Sequence, residues 1–335
     1  MGVTIRDVAE AAGVSKATVS KVLNHSYTIS KETTERVNTV IQELGYRPNR
    51  RAQSFASKAT RTILFLAKMQ HGVGFDNPHL FEIMVGVENA LSRKGYGLIV
   101  KKMGKEELLE QFDELFQSEY VDGAILHASV VSKAAAKRLE ECGFPYIIVG
   151  DPNFDNCLCW IDTDNRVAGS IAVKHLLRSG YKRIAFVGGP EDDMVSEYRK
   201  RGALAALREK VPDGYIRCGQ PTSDGGAQAV YELLKMPVPP DALVCANQYI
   251  AYGCVNALKT SDIRIPEEMG VITFDDFPFS KVIQPKLSVV NLDMYDMGEQ
   301  AAKIVLRRVK KPELVVQSQT TLPVLIERQS TARKG

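Results

Sequence analysis

The sequence predicts a small all-α helix-turn-helix headpiece followed by a two-lobed α/β core of doubly wound parallel sheets. Three observations predict it. The first sixty residues hold short amphipathic helical patterns, the first two separated by a glycine. From Thr62 onward, short β-branched runs alternate with helical patterns, the texture of parallel sheets covered on both faces. Charge is divided the same way: residues 1–61 carry ten Lys and Arg against five Asp and Glu, while the remainder carries thirty-three against thirty-five. The 335 residues and 44% apolar content exceed what one core uses, since single cores stop growing at roughly 250–300 residues.

In the headpiece, Thr4 to Asp7 reads as a capping box, with Asp7 at the positive end of the helix dipole. The helix that follows carries Ile5, Val8, Ala9 and Ala12 on one face. Gly13 supplies the turn, and Ser15 caps a second helix from about Lys16 to Leu23 that buries Val19, Val22 and Leu23. Two short helices joined by such a turn make a helix-turn-helix. Ser30 caps a third helix, with Val37, Val40, Ile41 and Leu44 at helical spacing and Gly45 at its end. The outward face of the second helix presents Lys16, Ala17, Thr18, Ser20, Lys21 and Asn24, without a carboxylate. That mixture suits phosphates and base edges, whereas a merely solvated face mixes both charge signs.

The core reads in order as a strand at Ile63–Ala67, a helix around Phe81–Lys94, a strand at Gly97–Val100, a helix near Glu106–Gln117 and a strand at Gly123–Leu126. Further strands fall at Tyr146–Val149, Arg183–Val187, Ala242–Cys245 and Gly270–Phe274. One doubly wound sheet does not use so many elements, so two lobes with a cleft between them are expected, ligands binding at the carboxyl ends of the strands.

Composition excludes several classes. The start of the chain meets charge within six residues, and no stretch of about 18 apolar residues occurs, so neither a signal peptide nor a membrane span is expected and the protein is expected in the cytoplasm. The six cysteines form no CxxC pairs, which argues against a zinc site or a disulfide framework. No P-loop, nucleophile elbow or His-Glu-x-x-His appears, and Gly188-Gly189 lacks dinucleotide-binding spacing, so neither an enzyme nor a cofactor is expected.

Residues Thr4–Asn24, Ser30–Arg36 and Glu43–Asn49 together resemble the headpiece of the LacI/GalR (lactose/galactose repressor) family of transcription regulators, and the similarity runs to about residue 330. The resemblance implies a homodimeric repressor that binds palindromic double-stranded operator DNA and is controlled by a small polar effector held in a periplasmic-binding-protein-like core. It implies domains at 1–47 (headpiece), 48–60 (hinge helix) and 61–330 (core). Lobe one then comprises about 61–159 and 291–318, and lobe two about 160–290 and 319–330, with crossings near 160, 290 and 319. By the same resemblance Lys16, Ala17 and Lys21 read bases. Thr4, Ser15, Thr18, Ser20, Asn24, Ser30, Thr33, Asn49 and Ala52 position the protein on the backbone. Phe55 stands where the family places an apolar minor-groove wedge, its alternative being a residue packed under the linker. Effector positions carried over are His79, Leu80, His127, Arg199, Asn247 and Asp275. Arg199 and Asp275 have the alternative of a structural ion pair, and Asp164-Asn165 is expected to shape a lobe edge. A carbohydrate or sugar phosphate fits these side chains; the alternatives are a nucleoside or other metabolite acting as corepressor, or a binding protein without a DNA role.

Overall fold

The computed structural model describes residues 3–23, 28–46, 60–69, 78–117, 120–207, 212 and 214–333. Asn24, Asn49, Ala52, Phe55 and all but the last residue of the expected 48–60 hinge lie outside the described residues. The chain divides into two compact units, Met1–Arg61 and Thr62–Gly335.

The first unit has three helices: α1 (Ile5–Ala11), α2 (Lys16–Leu23) and α3 (Lys31–Glu43). Each starts where a side-chain oxygen meets the unpaired first-turn amides. The backbone N–H of Asp7 donates to Thr4 Oγ1 at 3.4 Å and that of Thr4 donates to Asp7 Oδ2 at 2.8 Å, closing the capping box. Thr18 donates its amide to Ser15 Oγ at 3.1 Å, and Thr33 donates to Ser30 Oγ at 3.3 Å. Gly13 sits at φ +65°, a conformation that costs a side-chain-bearing residue more. Val8, Ala9, Ala12, Val19, Val22 and Val37 form the buried centre, so all three helices share one core.

In the second unit, a six-stranded parallel sheet has the order β2-β1-β3-β4-β5-β11. Its strands are β1 (Thr62–Ala67), β2 (Gly97–Lys102), β3 (Gly123–His127), β4 (Tyr146–Val149), β5 (Trp160–Thr163) and β11 (Gln319–Thr321). Between them run α4 (Pro78–Ser92), α5 (Lys105–Glu110), α6 (Phe112–Gln117) and α7 (Lys133–Glu141). The second sheet has the order β12-β10-β9-β8-β6-β7, with β12 antiparallel to β10 and the others parallel. Its strands are β6 (Ile184–Gly188), β7 (Ile216–Cys218), β8 (Ala242–Cys245), β9 (Gly270–Phe274), β10 (Ser288–Asn291) and β12 (Val324–Ile326). Its helices are α8 (Asn165–Arg178), α9 (Met194–Leu207), α10 (Ser223–Leu234), α11 (Gln248–Thr260) and α12 (Pro278–Val282), while α13 (Met294–Lys310) returns to the first lobe.

Both sheets therefore reverse their strand order beside the first strand, the geometry that opens a crevice at the carboxyl edge. The central strands are buried along their whole length, as Ile184–Gly188 and Gly270–Phe274 are, which explains their continuous apolar runs. The expected lobe boundaries shift by a few residues. β5 and β11 pair in the first sheet, Ile161 opposite Gln319 and Thr163 opposite Thr321, so the chain crosses after Thr163 rather than near 160, and after Thr321 rather than near 319.

Close helix contacts fix the walls of the crevice. A Cβ at Gly169 would lie 2.0 Å from the Arg199 carbonyl oxygen, and one at Gly202 would lie 1.9 Å from that of Arg166. Only glycine lets α8 and α9 approach this closely, and the approach presses Arg199 against the cleft.

Candidate functional site

Two places in the chain concentrate polar side chains. On the first unit, Lys16, Ala17 and Lys21 are exposed on α2, while Val19 and Val22 face the core. Ala17 and Lys21 are four residues apart and share one face. Ser15 and Thr18 bond through their hydroxyls at 2.9 Å, as do Ser30 and Thr33, so four of the expected backbone-positioning hydroxyls sit in pairs at two helix starts. A helix start bearing amides, hydroxyls and lysines is an anion-seeking surface. Thr4 closes the cap of α1, and Ser20 is half-buried on α2.

The second place is a cleft of about 310 Å³ between the lobes of the core. His79, Ile83, His127 and Asp162 line it from lobe one; Asn165, Tyr198 and Arg199 line it from lobe two. Each polar group arrives at an element end. His79 follows Pro78 in the first turn of α4, where proline's missing N–H and fixed φ are favourable. His127 ends β3, Asp162 lies one residue before the end of β5, and Asp275 follows β9.

The chemistry centres on Arg199, which is 2% exposed. Its Nε donates to Asn165 Oδ1 at 2.9 Å and its Nη1 to the Ala246 carbonyl at 2.6 Å. Nη2 stands 3.8 Å from Asp275 Oδ2, and the guanidinium lies 4.3 Å from the centre of the Phe274 ring. Asp275 is also 2% exposed and adopts φ +70°. Its Oδ2 accepts from His79 Nε2 at 2.6 Å, a bond that joins the two lobes. Its other oxygen, Oδ1, is buried without a partner among the described residues. Burial pushes the Asp275 carboxyl up, but His79 and Arg199 together hold it below the usual carboxylate range. A buried carboxylate with an unused oxygen beside a buried guanidinium fits a ligand that both donates and accepts hydrogen bonds, since an unpaired buried acceptor costs about 1–3 kcal/mol.

His127 supplies a donor of fixed sense. Its Nδ1 accepts the Ser129 backbone N–H at 3.2 Å and lies 2.8 Å from Ser129 Oγ. The ring proton therefore resides on Nε2. Burial, with His79 adding to it, lowers the His127 pKa from 6.5 to about 4, so the ring is neutral at physiological pH. The folded state then binds fewer protons than the unfolded state between those two values. Stability should accordingly be complete above pH 6.5 and be lost progressively as pH falls toward 4. At about 1.4 kcal/mol per pKa unit the loss is on the order of 2 kcal/mol, allowing for the part of the ring open to the cleft. Urea unfolding of His127→Gln across this range should show a shallower pH slope than the parent protein, and an identical slope would assign the acid sensitivity elsewhere.

The structure brings His79, His127, Arg199 and Asp275 together, as expected, and separates two other expected residues from them. Leu80 is 1% exposed and packs in the core of lobe one rather than facing the cleft. On α4 the buried stripe runs Leu80, Ile83, Val87, Ala90 and Leu91, so the residue one step before it, His79, takes the cleft side. Asn247 spends its side-chain oxygen on the cap of α11, accepting the Ile250 amide at 2.9 Å, and, like Asp275, is not itself part of the cleft lining. Arg199 and Asp275 do form the ion pair considered for them, within the site rather than instead of it. Of the pair assigned to a lobe edge, Asp164 accepts the Val167 amide at 2.9 Å as a helix cap, but Asn165 lines the cleft and holds Arg199. Asp162 and Tyr198 were not foreseen. Asp162 accepts the amides of Asp151 at 2.9 Å and Thr163 at 2.7 Å, and the Tyr198 hydroxyl donates to Asn153 Oδ1 at 2.8 Å across the lobes. In the sequence, the run Trp160-Ile-Asp-Thr163 offers only a short alternation of apolar and polar residues as a signal for Asp162. Among the described residues no group of three or more His, Cys, Asp or Glu is placed to hold a metal ion, and no helix is long and apolar enough to cross a membrane.

Comparison with known proteins agrees with both places. Residues 4–49 match bacterial regulatory proteins of the lacI family, and residues 173–331 match a periplasmic binding protein-like domain. The chain is 30% identical over 332 residues to the ribose operon repressor of Escherichia coli (strain K12), covering 98% of this chain and 99% of that one. Among solved structures, a complex of the transcriptional regulator CelR with cellobiose superposes with a TM-score of 0.71 at 28% identity, covering 98% of this chain and 99% of the other. A LacI family transcriptional regulator from Enterococcus faecium with bound ribose gives a TM-score of 0.68 at 27% identity, covering 82% of this chain and 100% of the other.

Proposed function

The chain belongs to the lacI family of bacterial regulatory proteins, and from that premise we propose a sugar-responsive repressor whose α2 reads operator DNA and whose interlobe cleft holds the effector. It is a DNA-binding transcription regulator, not an enzyme. Lys16, Ala17 and Lys21 are assigned to base edges, with Phe55 as the minor-groove wedge. Thr4, Ser15, Thr18, Ser20, Asn24, Ser30, Thr33, Asn49 and Ala52 are assigned to positioning on the backbone. His79, His127, Arg199 and Asp275 are assigned to the effector, joined by Asp162 and Asn165, with Asn247 supporting through its helix cap.

The observation that carries the effector reading is the unpartnered Oδ1 of Asp275 beside Arg199. A carboxylate and a guanidinium side by side satisfy two neighbouring hydroxyls of a sugar, one donating and one accepting. Relatives named for ribose and cellobiose point to the same class. The repressor is assigned two copies per operator. Phe81 and Val85 on α4, with Ile99 and Val100 on the edge strand β2, are exposed apolar side chains suited to that contact. Effector binding then shifts the lobes and, by linkage, DNA alters effector affinity by the same factor.

The test is selection of operator DNA from a random-sequence library at fixed salt, with and without a panel of sugars. A palindromic consensus whose recovery changes with one sugar is the expected result. Enrichment that no sugar alters would retain the DNA reading and remove the sugar.

A further inference from the structure

Two effector classes, neutral sugars and sugar phosphates, place opposite demands on the cleft. An anion is held by free cations or by helix N-termini with open amides. Three helices of eight residues or more begin at this cleft, with Asn165, Met194 and Met294, the first residues of α8, α9 and α13, on its lining. Every one is already closed by its own aspartate. Asp164 Oδ1 accepts the Val167 amide at 2.9 Å, Asp193 Oδ1 accepts that of Ser196 at 3.1 Å, and Asp293 Oδ1 accepts that of Asp296 at 3.1 Å. One first-turn amide of each helix is thus engaged, and a carboxylate stands at each helix start.

The buried cation of the cleft is committed as well. Arg199 spends Nε on Asn165 and Nη1 on a carbonyl, and three carboxylates, Asp275, Asp193 and Asp162, surround its charge. His79 is bonded to Asp275, and His127 is a neutral ring with its proton on Nε2. Lys105 remains on the lining, an exposed side chain next to Glu106 and Glu107. The acceptors, in contrast, keep capacity: Asp275 Oδ1 is buried without a partner among the described residues, and Asp162, on the lining, meets only backbone amides among its hydrogen bonds. A volume of about 310 Å³ lies at the small end of the range for ligand pockets.

We propose that the effector is an uncharged polyhydroxylated ligand of monosaccharide size, and that phosphorylated and carboxylated sugars are rejected by the carboxylates that surround Arg199. The inference rests on the sugar reading of the same cleft and sharpens it. Hydroxyl hydrogens of the ligand go to Asp275 and Asp162, and hydroxyl oxygens take the Arg199 and His127 donors. A phosphate beside Arg199 meets Asp275, Asp193 and Asp162, the carboxylates that already balance that guanidinium.

Calorimetric titration of the full-length protein with matched sets tests this: pentoses and hexoses, each beside its phosphate and its uronate. In the set that binds, the neutral sugar should bind at least about a hundredfold tighter than either charged form. A charged form that binds equally or more tightly overturns the charge assignment and leaves the sugar reading standing. Absence of binding by every member, neutral or charged, overturns the sugar reading and this inference with it. Asp193→Asn gives the second arm. Asparagine caps helices as well as aspartate does, so α9 is retained while a charge is removed. The neutral-to-phosphate affinity ratio should narrow by about tenfold. An unchanged ratio with an intact fold would overturn the assignment of selectivity to the carboxylates around Arg199.

Discussion

Asp275→Asn should abolish the effector response while leaving effector-free operator binding within about twofold of the parent protein. Asn is the informative substitution because residue 275 sits at φ +70°, where Asn is tolerated and Ala is strained. The change keeps the side chain's shape but removes the charge that balances Arg199 at 3.8 Å and accepts from His79 at 2.6 Å. Hydrogen bonds to a charged acceptor contribute about 1.5–3 kcal/mol, so effector affinity should fall by roughly ten- to 150-fold. Arg199 would also lose a counter-charge in a buried setting, which is destabilising. Thermal unfolding must therefore accompany the measurement. Operator-binding isotherms with and without the neutral sugar provide the readout. A folded variant that still responds normally would remove Asp275 from the effector site.

The residues of this cleft were unequally legible in the sequence. Central strands such as Ala242–Cys245 and Gly270–Phe274 appear with their observed bounds, because burial on both faces leaves an uninterrupted apolar run. Three of the four edge strands do not, while the fourth, β2, is read at Gly97–Val100. Ile216–Cys218, Gln319–Thr321 and Val324–Ile326 are three residues each and partly or largely exposed, so no periodicity marks them. Missing β5 and β11 is also what displaced the expected lobe crossings. His127 and Asp275, which the family resemblance places at the ends of recognised strands, stand at the end of β3 and directly after β9. Residues whose role depends on another element were not foreseen: Asn165 matters because α8 and α9 approach at Gly169 and Gly202, and that contact lies in three dimensions only. Leu80 was misplaced by one helical step, which on an amphipathic helix separates cleft from core. Headpiece caps were legible in full, because Thr4, Ser15 and Ser30 act within three residues of themselves.

The second large effect belongs to the headpiece. Lys21 is exposed on α2, one turn beyond Ala17 and on the face opposite Val19 and Val22, so its loss removes no core contact. If it meets base edges, Lys21→Ala should weaken operator binding by about 1–3 kcal/mol per half-site and relax preference at one symmetric pair of positions. With two copies on a palindrome, the loss is about 30-fold to 20,000-fold. Lysine is a point charge without the fixed fork of arginine, so preference for guanine at that pair should already be modest in the parent protein, and Lys21→Arg should sharpen it. A phosphate contact predicts something else: a uniform loss across all sequences and a salt slope smaller by about one per copy. Competition binding against single-position operator variants at two salt concentrations separates the two. Loss concentrated at one base-pair position with an unchanged slope would keep Lys21 among the base readers. Uniform loss would place it with Ser15 and Thr18 on the backbone, leaving Lys16 and Ala17 to read the groove.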